Sequence, residues 1–253
     1  MYSPLLKRRA ICRSLCPFIV SFVSAFLIYG EAVHRALFPL AALTTLLAPS
    51  ARAENQIWTN YELKKEAPAG LPVDLTLNGE IRFEPDGQIT QYVLRPGISY
   101  ALNDRLMLSG GYRYSQSPGK GTDQVEHRLW QQAGYRIAEL ASARITGRTR
   151  LEQRFREDES GTGWRVRQQI SLEQPLAGTD IELAIRSELF VGLKETGWGN
   201  ANGLQEVRSR ASVNWAMAGL GWEAGYLNQI RMGTAGAADQ TSHHIYLGLS
   251  KSF

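Results

Sequence analysis

Across the last two hundred residues apolar and polar side chains alternate one by one, the period of a β-strand. In residues 73–84, Val73, Leu75, Leu77, Gly79, Ile81 and Phe83 share one face, and Asp74, Thr76, Asn78, Glu80, Arg82 and Glu84 share the other. Residues 143–155 set Ile145, Gly147, Thr149, Leu151 and Phe155 against Arg144, Arg148, Arg150, Glu152 and Arg154. Residues 181–193 set Ile181, Leu183, Ile185, Leu189, Val191 and Leu193 against Glu182, Arg186 and Glu188. Further strands are predicted at 89–102, 105–116, 125–137, 164–174, 204–216, 221–232 and 242–253. No segment has a helical period. These strands exceed the soluble average of about 5–6 residues. They reach the about 9–11 residues that a tilted strand needs to cross a bilayer.

The polar face is unusual. Arg and Glu dominate it and Lys is scarce, while glycines and aromatics sit among the apolar positions. A soluble sandwich turns its polar face to water, but a barrel in lipid turns it to an enclosed lumen. Closure also removes the unpaired edge that hydrocarbon cannot satisfy. Connection lengths agree. Long polar connections at 117–124, 157–163, 194–203 and 233–241 alternate with short ones at 103–104, 138–142, 175–180 and 217–220. Outer-membrane barrels carry long external loops and short periplasmic turns. Tyr92, Tyr100, Tyr112, Tyr114, Tyr135, Trp164, Trp222 and Tyr226 fall toward strand ends, where interfacial rings belong. The expected fold is therefore all-β, an antiparallel transmembrane β-barrel of about 10–12 strands. Residues 57–63 also alternate and would make eleven, an odd count for a bacterial barrel. Ten regular strands are expected, with twelve as the second choice. Segment 57–63 then plugs the lumen, lies along the periplasmic side or pairs only partly, unless a strand elsewhere is merged or split.

The first 53 residues differ. His34 and Arg35 precede an apolar run over 36–47, followed by Ala51-Arg52-Ala53. This reads as a secretory signal cleaved after Ala53, leaving residues 54–253 as the barrel. The apolar stretch 18–30 is too short to span a bilayer as a helix. It belongs either to an extended start, with the true one near Val33, or to a long signal. The chain carries 28 basic and 24 acidic side chains, of which six and one precede residue 54. The processed segment keeps 22 and 23, so a nucleic-acid role loses its support. Cys12 and Cys16 leave with the presequence.

Three ordered groups carry a family resemblance: His127-Arg128-Leu129-Trp130-Gln131-Gln132 with Arg148-Thr149-Arg150-Leu151-Glu152-Gln153-Arg154-Phe155; Trp164-Arg165-Val166-Arg167 with Glu188-Leu189-Phe190; and Gly225-Tyr226-Leu227-Asn228-Gln229 with His244. Together they resemble the outer-membrane family catalogued as domain of unknown function 2490. The resemblance implies a secreted β-barrel and supplies no reaction. The ending Ile245, Leu247, Leu249 and Phe253 also resembles the signal read by the barrel-assembly machinery, although Lys251 stands where an aromatic is common.

Period and loop assignment place Arg113, Arg128, Glu152, Arg154, Arg165, Arg167, Glu188, Arg208, Gln229 and His244 on the lumen side of the outer half. Arginine forks suit carboxylate, phosphate or sulfate ligands, and Arg–Glu pairs also serve simply to fill a narrow barrel. His127 and His244, with Glu188, are the candidate acid–base residues for an enzyme acting on lipid or peptide at the external rim. His243 and His244 are neighbours on one strand and point to opposite faces, which argues against a shared metal. No cofactor motif is present: Gly161-Thr162-Gly163 and Gly197-Trp198-Gly199 precede strands, not helices. The expected role is structural, or a narrow charge-lined path for small polar or anionic solutes. The alternatives are the rim enzyme and an adhesion protein using loops 117–124 and 194–203. The expected setting is the bacterial outer membrane, as a monomer whose partners are lipids and the assembly machinery. Mass spectrometry of the membrane-bound protein should find Glu54 at its N-terminus; an intact Met1 would refute the cleavage.

Overall fold

The computed structural model describes residues 55–67, 72–119, 121–157, 159–234 and 236–253. The presequence and its cleavage site lie outside the described residues. Every regular element described is a strand: β1 (Gln56–Lys65), β2 (Asp74–Phe83), β3 (Ile89–Asn103), β4 (Leu106–Ser117), β5 (Gln124–Leu140), β6 (Ala143–Arg156), β7 (Gly163–Pro175), β8 (Ile181–Lys194), β9 (Gly203–Met217), β10 (Leu220–Arg231) and β11 (Gln240–Ser252). Each strand pairs with its sequence neighbour, and β1 meets β11 to close the ring.

The barrel falls within the expected size, but at eleven strands, neither the favoured ten nor twelve. The reason is geometric. If every neighbour ran antiparallel, directions would alternate and the count would be even, so an odd ring needs a parallel pair. That pair is β1 with β11, in register from Gln56 beside His244 to Lys64 beside Ser252. Segment 57–63 is therefore in the wall and is not a plug. Trp58 holds it there. Its side chain, 2% exposed, packs with Leu227 and Tyr246 on the lumen side of the seam. The Arg82 guanidinium lies 3.6 Å from its ring centroid, and its Nε1 donates to Gln56 Oε1 at 3.0 Å.

Burial is inverted relative to a soluble protein. Among the described residues nineteen polar or charged side chains are buried against ten hydrophobic ones. Leu77, Leu94, Ile98, Leu129, Ile170, Leu183, Leu189, Ile245 and Leu247 are all exposed on the outer surface. So broad an apolar surface has no place in water. Against hydrocarbon it belongs there, because the closed ring satisfies the backbone internally. The protein is a transmembrane β-barrel. One end carries the connections 118–123, 157–162, 195–202 and 232–239 and the shorter 84–88; the other carries 104–105, 141–142, 176–180 and 218–219, with 66–73 as its one longer segment. We call these the long-loop and short-turn ends.

The seam offers a direct check. Thr59 and Leu247 are partners across β1 and β11 and both face outward. A Thr59→Cys, Leu247→Cys double variant, in a processed segment that otherwise has no cysteine, should oxidise to an intramolecular crosslink visible on a denaturing gel. No crosslink in the folded barrel would remove β1 from the wall.

Candidate functional site

Inward positions on successive strands are set by register, and the register builds the lumen in rows. One row runs Arg95, Arg113, Arg128, Arg154 across β3 to β6. Arg113 lies opposite Arg128, and Arg128 opposite Arg154, while the run from Leu94–Tyr114 to Gly97–Gly111 sets Arg95 across from Arg113. The next row toward the short-turn end is Gly97, Gly111, Trp130, Glu152, Arg165. A third is Arg148, Gln169, Glu188, Arg208, Gln229, Ser242.

Carboxylates neutralise one part of this array. Glu152, 1% exposed, accepts from Arg165 Nη2 at 2.6 Å, Arg167 Nη1 at 2.8 Å and Arg128 Nη1 at 3.4 Å. Glu126 accepts from Arg128 Nε at 2.5 Å and from Arg154 Nε and Nη2 at 2.7 and 3.0 Å. Glu188 accepts a fork from Arg167, 3.0 and 2.7 Å, and a bond from Arg148 at 2.7 Å. Glu206 pairs with Arg208 and accepts from Gln229 at 2.7 Å; Gln229 Oε1 accepts from His244 Nε2 at 3.1 Å. These bonds draw the ten expected lumen residues, apart from Arg113, into hydrogen-bonded chains whose links are charge-assisted except the one from Gln229 to His244.

Aromatic rings separate the guanidiniums. Phe190 lies under Arg165, Arg167 and Arg208 at 5.0, 4.5 and 4.6 Å. Trp58 stacks on His244 at 4.7 Å. Trp130 carries Arg150 at 4.6 Å. Its ring lies across Gly97 and Gly111, where an added Cβ would come within 2.8 and 2.7 Å of it. Those two glycines make the notch in which the indole sits.

The β8–β9 connection also enters the site. Trp198, expected in an external loop, is 6% exposed and packs against Arg154 and Arg156 at 5.2 and 5.1 Å. Fully buried Asn200 accepts from Arg154 Nη1 at 3.0 Å and donates to the Trp164 carbonyl at 3.3 Å. The loop is thus pinned to the inner wall at the long-loop end.

A cavity of about 1460 Å³ remains. Its walls include Glu62, Glu182 and Ser250 at the short-turn end and Gln124, Gly199 and Met232 at the long-loop end. Fourteen arginines and nine carboxylates line it. With Glu152 behind them the lumen keeps a cationic excess, although the processed segment as a whole has none.

The candidate acid–base residues do not converge. His127 faces outward: it accepts from the Tyr112 hydroxyl at Nδ1 and donates from Nε2 to Glu157 at 2.8 Å. Glu188 and His244 face inward, in separate hydrogen-bond sets. No group of metal-ligating side chains occurs among the described residues. Phase and depth leave out several residues that matter here: Glu126, Arg95 and the inward aromatics, and also Arg150, which phase puts on the polar face but depth leaves outside the outer belt. The signal was available, since Trp130, Phe190 and Tyr246 each stand two positions after an inward polar residue, Arg128, Glu188 and His244.

Residues 55–240 match the family described as a protein of unknown function, DUF2490. The chain belongs to this family. An uncharacterised protein of Methylorubrum extorquens is 30% identical over 203 residues, 75% of this chain and 87% of that one. Among solved structures, the translocator domain of the autotransporter NalP from Neisseria meningitidis aligns at TM-score 0.43 and 12% identity, covering 87% of this chain and 94% of that one. OccK5 (OpdH) of Pseudomonas aeruginosa aligns at TM-score 0.35 and 11% identity over 67% of this chain; the match spans 54% of OccK5.

Within this family member, Glu152 is the carboxylate whose loss should be felt most. Glu152→Gln leaves three buried arginines without their shared counter-charge, and we expect it to cost about 3–5 kcal/mol. Glu139→Gln, which breaks an exposed pair with Arg136, should leave stability unchanged. Urea unfolding followed by gel migration of unheated samples measures both; equal midpoints would mean the network carries no stability.

Proposed function

We propose that the protein is a bacterial outer-membrane barrel whose arginine-rich lumen gives small anions a narrow path. The observation that carries this reading is the cavity with walls at both ends and more arginines than carboxylates. An excess of one sign between low-dielectric walls concentrates the opposite ion. Eleven strands lie between the eight that side chains just fill and the 16–18 of open porins, so the path is narrow. In this reading the long-loop end is external, lipid covers the apolar belt, and the assembly machinery reads β11 up to Phe253. The Glu126, Glu152 and Glu188 contacts serve the structural part of the role by stiffening the wall.

A second reading has one observation in its favour. His127, held between Tyr112 and Glu157 on the outer surface near the long-loop end, has the hydrogen bonding of a proton relay facing lipid headgroups. It would support an enzyme acting on lipid at the rim.

The processed protein reconstituted in planar bilayers separates the two. Small unit conductance with a reversal potential of anion sign in a KCl gradient is expected. The preference should weaken as salt rises and the Debye length falls below about 10 Å. Absence of conductance, or cation preference, would reject the path. Lipid hydrolysis abolished by His127→Ala would favour the rim enzyme instead.

A further inference from the structure

The neutralisation of the lumen is uneven. Arg128 and Arg154 share Glu126, but the other half of their row has no such partner. Arg113, 4% exposed, donates only to Ser115 Oγ at 3.3 Å and Gln91 Oε1 at 3.5 Å, and its Nε has no partner. Arg95 donates to Asn78 Oδ1 at 3.3 Å, and its Nε is also without one. Arg150 bonds only Gln132. None of the three has a carboxylate within ion-pair distance among the described residues; Arg113 and Arg150 both feel the charge of Arg95, and the carboxylates whose charge reaches them are held by other arginines, Glu80 by Arg82 and Glu152 by Arg128, Arg165 and Arg167.

Like charges directly opposite on adjacent strands destabilise a sheet. Buried donors left unsatisfied also cost stability. Here both costs fall on one spot, the facing pair Arg95–Arg113, and that spot opens on the cavity together with Gln91 and Asn78. The indole of Trp130, seated over Gly97 and Gly111, bounds it toward the short-turn end and holds Arg150 on its ring. The arrangement is two guanidinium forks, neutral amides in contact with them, the Arg82-paired Glu80 beyond, and a rigid aromatic floor.

We infer that Arg95 and Arg113, with Arg150 beside them across Trp130, form a binding site for a compact oxyanion of the phosphate or sulfate class. The anion supplies the counter-charge that Glu126 supplies to Arg128 and Arg154. Two forks present enough N–H donors to hold a tetrahedral dianion, which chloride cannot match in geometry. The inference deepens the anion-path reading and rests on it for the ligand's route into the lumen.

Isothermal titration of the processed barrel in detergent tests it, using inorganic phosphate and then sulfate at constant ionic strength, with chloride as the balancing ion. Saturable binding of phosphate or sulfate is expected. Arg95→Gln with Arg113→Gln should raise the dissociation constant about tenfold or more, and Arg150→Gln alone should raise it by less. A merely structural pair would not produce the second readout: bound phosphate should raise the unfolding temperature of the native barrel and not that of the double variant. With the like-charge pair removed, the double variant should be at least as heat-resistant as the native barrel in oxyanion-free buffer. No saturable binding, or equal affinity in the double variant, overturns the site. The KCl reversal potential, recorded without either oxyanion, tests the path separately. Anion preference without oxyanion binding sinks the site alone, and oxyanion binding without conductance sinks the path alone.

Discussion

Hydrocarbon offers no hydrogen bonds, so a sheet that crosses it must return to its own first edge. Everything else in this protein follows from how that return is made. With eleven strands it is made in parallel, by β1 against β11. A parallel pair is slightly less stable per residue than an antiparallel one. The molecule reinforces it from inside, where Trp58, Leu227 and Tyr246 form the one apolar cluster found among the buried described residues. The same closure turns the alternating pattern inside out. Leucines and isoleucines meet lipid, and the polar half of every strand is forced into a common interior.

That interior has a charge problem that the pattern itself creates. Register fixes which inward residues face each other, and it places arginine opposite arginine at 113–128 and again at 128–154. Guanidiniums this close need carboxylates or rings between them. Glu126, Glu152, Glu188 and Glu206 provide the first, and Trp58, Trp130, Phe190 and Trp198 the second. The result is a rigid, paired wall over one arc of the lumen and a less neutralised face over another.

Much of this was legible in the sequence, because period two is a strong signal over strands of this length. The faces of β2, β6 and β8 came directly from three alternations: Leu75, Leu77 and Ile81; Arg148, Arg150 and Arg154; and Leu183, Ile185 and Leu189. Ten inward residues were named from depth and phase. Three things were not legible. The role of 57–63 depends on its partner in β11, about 190 residues away, and parity alone argued wrongly against it. The Arg95–Arg113 juxtaposition depends on register, which periodicity leaves open. The floor under Arg150 depends on Trp130 reaching over two glycines on neighbouring strands, a relation that no single strand contains.

The parallel seam has one more consequence. β1 and β11 point the same way, so Gln56 stands at the long-loop end and Ser252 at the short-turn end. In a ring of even count the polypeptide comes back to the side from which it set out. Here it makes an odd number of crossings, so the barrel begins on one side of the bilayer and finishes on the other.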